Sequence, residues 1–216
     1  MYNFSLASGF VVVIAGVIGL IRFKKMLPSY QPFVYFAWLS VLNDLLSAAL
    51  VKVYHENPIN GNIYVLLEAY LFLWLFRNWG IIKDKSWTLA SLLVFLTMIW
   101  IYDNFIWHNI TTVNSLFRIC YSFVLIFLAI NQLNKLIVGE RGILLRNTRF
   151  LICIGICIFY SYKASIEVFY LLQLQVSNNF YSNIFLIHII VNLFVNLIYG
   201  LAALWIPTKQ RFTLSS

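Results

Sequence analysis

Eight ionisable side chains stand inside otherwise apolar stretches of the sequence: Asp44, Lys52, Glu68, Asp103, Arg118, Lys163, Glu167 and His188. An ionisable group held at bilayer depth costs about 2.5 kcal/mol or more and is by default a functional-site candidate. Their spacing orders them. Two residues on antiparallel neighbouring helices lie level when their midpoint falls in the connecting turn. The midpoint of Lys52 and Glu68 falls in the turn 55–61, that of Asp103 and Arg118 in the connection 108–112, and that of Glu167 and His188 in the connection 173–180. Three hairpins thus each carry a level pair of complementary charge, roughly 12–15 Å from the turn at 1.5 Å per residue. Two chemistries fit: ion pairs that hold neighbouring helices together, here Lys52–Glu68 and Asp103–Arg118, or a polar cavity lined by both signs of charge. Buried ion pairs are weak sources of stability, and three on one level exceed what packing needs.

Polar stripes extend this layer. His188, Asn192, Asn196 and Tyr199 recur at i, i+4, i+8 and i+11, on one face of a helix. Such side chains either bond across helices, at about 1 kcal/mol each or less, or line a polar path. Ser40, Asp44 and Ser47 form a second, deeper stripe, and Tyr160, Lys163 and Glu167 share a third face. Glu68, Lys163, Glu167, His188, Asn192, Tyr64 and Tyr160 are therefore the candidate ligand-binding set, with Asp44 and Asn196 as a candidate relay. Histidine in such a set makes binding depend on pH near neutrality. Asp44, Glu68 and His188 would be the acid and base groups of an intramembrane enzyme.

Other chemistries lack their residues. The three histidines, His55, His108 and His188, do not supply the three-ligand set of a catalytic zinc. Seven-helix zinc amidohydrolases of the ceramidase and adiponectin-receptor type carry HxxxH on the last helix, where this chain has His188 and Asn192, so no metal or other cofactor is expected. Retinal-binding proteins place their lysine on the seventh helix, and here Lys163 lies on the sixth. No nucleophile motif or phosphate-binding glycine loop is present. Cys120, Cys153 and Cys157 all lie in apolar runs and read as small packing residues.

The elements that position these groups follow from composition. Of 216 residues, 62% are hydrophobic and only 10% charged, with mean hydropathy +0.85; soluble domains are near half apolar and a quarter charged. A soluble globular domain, a disordered chain and a fibrous rod are excluded, and nucleic acid is not an expected partner. A span needs about 20 apolar residues. The sequence predicts one all-α transmembrane domain over 1–216, a bundle of seven helices at about 4–21, 33–54, 62–82, 87–107, 112–134, 149–172 and 181–205. Twelve of the 15 Lys and Arg residues, among them Arg22, Lys24, Lys25, Arg77, Lys83, Lys85, Lys135, Arg141, Arg146, Arg149, Lys209 and Arg211, fall on one side of that bundle. By the positive-inside rule the N-terminus is outside and the C-terminus cytoplasmic. The first run precedes its positive charges, the reverse of a signal peptide, so it reads as an uncleaved helix.

The stretches Asn60-Gly61-Asn62-Ile63-Tyr64-Val65-Leu66-Leu67-Glu68 and Ile187-His188-Ile189-Ile190-Val191-Asn192-Leu193-Phe194-Val195-Asn196-Leu197-Ile198-Tyr199 resemble a type of uncharacterised bacterial seven-helix integral membrane protein. The resemblance covers the second, third, sixth and seventh helices. It implies a shared bundle with Glu68, His188, Asn192 and Asn196 at its polar positions, and carries no assigned activity.

The leading functional expectation is a module of the bacterial inner membrane with an outward-facing polar pocket. It would bind a small ligand or lipid headgroup and act through a cytoplasmic or membrane signalling partner, since only Thr208 to Ser216 follow the last helix. A transporter of a small polar solute or protons is the alternative. A lipid-modifying enzyme or a structural subunit also fits, so enzymatic activity is left open and binding preferred to catalysis.

Overall fold

The computed structural model describes residues 9, 11–55, 57–82, 86–139, 143–172 and 178–208. Seven α-helices account for most of them: α1 (Val12–Arg22), α2 (Gln31–Tyr54), α3 (Pro58–Asn78), α4 (Ser86–Ile101), α5 (Ser115–Gly139), α6 (Thr148–Leu171) and α7 (Asn178–Leu204). No strand occurs among the described residues; the only β-type pairing there is the isolated bridge Met26–Thr208. Among the described residues six segments are long and apolar enough to cross a membrane, and α1 is a shorter apolar helix. The beginning of the first apolar run, the Lys83-Asp84-Lys85 cluster, Arg141, Lys209 and Arg211 lie outside the described residues.

Boundaries differ from the sequence reading where a connection has its own bonding. The turn placed over 55–61 is shorter, because α3 starts at Pro58; proline has no N–H to lose in a first turn. The fifth helix, expected from 112, starts at Ser115. Thr112 Oγ1 donates to Asn109 O at 2.7 Å, and Asn114 Nδ2 donates to Asn104 Oδ1 at 2.8 Å, so side chains hold these residues in the connection. The fourth helix is not uniform to residue 107. It ends at Ile101 and continues as a π turn, Tyr102–Trp107.

Helices α2 and α3 run antiparallel. Partner numbers rise on α2 as they fall on α3: Ser40 meets Tyr64, Asn43 meets Asn60, and Ser47 meets Asn57. Helices α1 and α7 run parallel, Ile14 lying against Gly200 and Arg22 against Leu204. Helices α1, α2, α3, α5, α6 and α7 close a ring, with α4 laid outside against α3 and α5. Only 17% of the α4 span is buried, against 44% for α3 and for α6. Glycine brings α1 close to α2: a Cβ on Gly19 would sit 2.7 Å from Val34 Cγ2. Arg22 closes the other seam, its guanidinium donating to the carbonyls of Ala203 and Leu204, which α7 leaves free at its C-terminus, and to that of Ile206 just beyond it.

The bundle has the reverse of a soluble protein's polarity. Leu42, Leu45, Phe123, Phe127, Val138 and Phe194 are exposed on its outside, while Glu68, Asp103, Gln132 and Glu167 are buried. Its centre is aromatic. Phe36 meets Phe72 at 4.5 Å between ring centroids, Phe72 meets Tyr160 at 5.9 Å, and Phe33 and Phe36 both stand edge-on to Tyr199. Edge-on and offset rings are favoured arrangements.

Candidate functional site

The ring of helices is not packed solid. A cavity of about 330 Å³ lies between α1, α2, α3, α6 and α7, at the low end of the range for small-molecule sites. It runs along α2 from Val51 to Phe36, a path of roughly 22 Å at helical rise. Its α2 wall is Ser40, Asp44, Ser47 and Val51, and its α7 wall is His188, Asn192, Asn196 and Tyr199. Both are single helix faces, the i, i+3/i+4 repeat that aligns side chains in a row. Tyr64 and Glu68 enter from α3, Tyr160 and Lys163 from α6.

At its wall, Glu68 is 2% exposed and fully engaged. Tyr64 donates its hydroxyl proton to Glu68 Oε1 and Tyr121 donates to Glu68 Oε2, both at 2.8 Å. Lys163 Nζ lies 3.6 Å from Oε2 and donates to the Tyr121 hydroxyl at 2.5 Å. The same ammonium sits 5.2 to 5.6 Å from the ring centroids of Tyr121, Phe159 and Tyr160, where ring quadrupoles favour a cation. Ser40 Oγ is 2.9 Å from the Tyr64 hydroxyl. A chain Ser40–Tyr64–Glu68–Tyr121–Lys163 thus ties four helices together beside the cavity.

Three buried polar atoms of cavity-lining residues have no hydrogen-bond partner among the described residues: the Tyr160 and Tyr199 hydroxyls and His188 Nδ1. A buried unsatisfied donor or acceptor costs on the order of 1–3 kcal/mol. The Tyr199 ring is seated against Gly155, where a Cβ would come 2.5 Å from Cε1. His188 stacks on Tyr162 and tilts against Phe159.

A second polar cluster lies outside the cavity, between α3, α5 and α6. Arg118 Nη1 donates to Glu167 Oε1 at 3.3 Å, and Nη2 donates to Asn62 Oδ1 at 3.2 Å. Ser115 Oγ donates to Glu167 Oε2 at 2.6 Å. Asn62 Nδ2 donates to the carbonyls of Ile110 and Thr112, so this cluster also fastens the α4–α5 connection.

The structure re-sorts the level pairs. Lys52 is exposed, and Glu68 takes Lys163 as its cation instead. Val51, not Lys52, continues the inward stripe of α2, so Lys52 is at the right level on the wrong face. Asp103 does not meet Arg118. The π turn aims its carboxylate at the start of α5, where Oδ2 accepts from Phe117 N at 2.8 Å, while Oδ1 lies 3.0 Å from His108 Nδ1. Glu167 pairs with Arg118 and not with His188, and it does not line the cavity. Of the candidate ligand-binding set, Glu68, Lys163, His188, Asn192, Tyr64 and Tyr160 share the cavity, as do Asp44 and Asn196.

The sequence reading missed Tyr121, Asn62 and Ser115. Arg118 and Tyr121 are i, i+3 on α5, so the face of the arginine already contained the tyrosine. Asn62 falls where the sequence predicts a helix start, and asparagine is common there, so its type does not mark it as part of a site. Among the described residues no three His, Cys, Asp or Glu side chains come together as a metal-ligand set. No family model, curated protein or solved structure matches the chain.

Proposed function

We propose that this chain is a seven-helix integral membrane protein whose intramembrane cavity binds a small ligand or a lipid headgroup, and that it acts through a partner. In this reading it spans the bacterial inner membrane with its N-terminus outside and its C-terminus in the cytoplasm. The end of the bundle carrying the 55–57 and 108–114 connections then faces outward, because the basic residues of the sequence gather at the other end.

The observation that carries the reading is the coincidence of three buried, unpartnered polar atoms, on Tyr160, Tyr199 and His188, with one cavity. Most polar groups buried for packing find partners in the protein. Four other buried atoms, on Asn57, Trp79, Arg118 and Gln132, also lack a partner among the described residues, but they lie off this lining, and only the cavity gathers three. Groups left without one, around a space of ligand size, are what a binding site presents before its ligand. The cavity ends at Phe36, whose ring is buried in the core with those of Phe33 and Phe72, which favours a one-sided pocket over a through path and hence binding over transport.

The test is native mass spectrometry of the full chain released from its membrane, beside an Ala48→Trp variant that fills the lining at Ala48. The expected result is a bound species of defined mass on the wild type and its loss from the variant. Equal spectra from the two would overturn the reading. A reporter fused after Ser216 should read cytoplasmic and one before Met1 outside; the same side for both would overturn the orientation.

A further inference from the structure

We infer that the ligand of this cavity is a small organic cation, a protonated or quaternary amine, drawn by Asp44 into a space lined with aromatic rings. The inference rests on the ligand-binding reading above and names its chemical class.

Charge within the lining points to a cation. Two carboxylates, Asp44 and Glu68, face one ammonium, Lys163. Glu68 and Lys163 satisfy each other: the ammonium is 3.6 Å from the carboxylate, donates to Tyr121, and stands among three rings. The positive charge in the cavity is therefore engaged and not available to an anion. Asp44 has no Lys, Arg or His within salt-bridge distance among the described residues. Its carboxylate packs over Gly9, where a Cβ would meet Oδ2 at 2.5 Å, so the glycine leaves room for the acid. Asp44 is half-buried and hydrogen-bonded to Asn43, and a partly desolvated carboxylate without a counter-ion gains from meeting a cation.

A second, independent observation lies deeper in the same space. The Tyr160 and Tyr199 side chains are 1% and 3% exposed, and both hydroxyls lack a partner among the described residues. A tyrosine oxygen accepts a hydrogen bond and its ring face attracts a cation. With Phe36 and Tyr64 on the same lining, the cavity combines a carboxylate that has no cationic partner among the described residues with π-faces, the means by which proteins hold ammonium groups. A free amine and the ammonium headgroup of a lipid share this chemistry.

The test uses the full chain in nanodiscs of phosphatidylglycerol, which carry no amine. Binding of choline, of its uncharged isostere 3,3-dimethylbutan-1-ol, and of acetate is measured by titration calorimetry. Choline should bind at least tenfold more tightly than the isostere. That preference should disappear in Asp44→Asn and persist in Asp44→Glu, with unfolding midpoints checking that both variants fold. An isostere that binds the wild type as well as choline does would overturn the inference, and so would an unchanged preference in a folded Asp44→Asn. The wild-type comparison needs no variant, so a misfolded one leaves the test intact. Acetate or the isostere binding where choline does not would overturn the cationic class while leaving the cavity a ligand site. Failure of all three probes would overturn both readings. Repeating the titration in phosphatidylcholine nanodiscs separates the sources: several-fold weaker choline binding there assigns the site to a lipid headgroup, and unchanged binding to a free amine.

Discussion

Two polar clusters sit side by side in this bundle, each built on a buried glutamate paired with a basic side chain, and they are finished differently. Around Arg118, the carboxylate of Glu167 receives Arg118 and Ser115, and Asn62 uses both its oxygen and its nitrogen; of this set only Arg118 Nε is left over. Nothing in that cluster lines the cavity. Around Glu68 the ion pair is equally complete, but the Tyr160, Tyr199 and His188 atoms beside it are not, and an open volume adjoins them. A buried charge is thus a poor marker of function by itself. Completeness of partners separates helix glue from a site, because a network closed within the protein has no capacity left for a ligand.

The largest expected effect tests the closed cluster. Arg118→Met leaves Glu167 as an uncompensated buried charge and should destabilise the protein by about 3–5 kcal/mol, measured by unfolding in mixed micelles. Adding Glu167→Gln should recover part of that loss. Adding Asp103→Asn instead should give additive losses, within about 0.5 kcal/mol, since Asp103 does not touch the arginine. Coupling between Arg118 and Asp103 would break the comparison at its root.

Asp103→Leu should cost about 1–3 kcal/mol, because the buried N–H of Phe117 loses its acceptor, and hydrogen exchange at the start of α5 should accelerate. A neutral outcome would mean that the π turn does not need its acid.

On the cavity side, Gly155→Ala places a methyl against the Tyr199 ring. Overpacking of this kind costs about 1–3 kcal/mol, and the displaced ring should also weaken binding of the co-purifying species. Gly139→Ala is the control, since nothing lies within 4 Å of a Cβ there.

The smallest effect is the most diagnostic. Tyr199→Phe removes a buried hydroxyl that has no partner, so stability should stay within about 1 kcal/mol of wild type or rise, while ligand binding weakens. Tyr121→Phe removes a hydroxyl that serves both Glu68 and Lys163 and should destabilise. If both variants lose stability alike, the distinction between partnered and unpartnered hydroxyls falls.

Much of this was legible in the residues because it is local. Helix length and apolar content follow from composition, and the inward faces of α2 and α7 follow from the repeat Ser40, Asp44, Ser47 and the repeat His188, Asn192, Asn196, Tyr199. Periodicity fixes which residues of one helix share a face, whatever surrounds it. Partner choice was not legible. Hairpin level gives the height of a side chain and says nothing of its direction around the helix axis. Lys52 has the height of Glu68 but points out of the bundle, and Lys163, from a helix distant in sequence, reaches the acid instead.

Asp103 shows a further limit. A π turn widens the helix locally and re-aims the acid toward the start of α5, a change that no period of 3.6 encodes. The sequence alone therefore determined that the chain is helical, apolar outside and polar within, and which faces carry the polar groups, since these depend on residue type and helical repeat. Only the tertiary structure decided which charges meet, which hydroxyls go without partners, and that a cavity lies between them. Those depend on the rotation and separation of helices far apart in the chain, which are set by the packing of the whole ring.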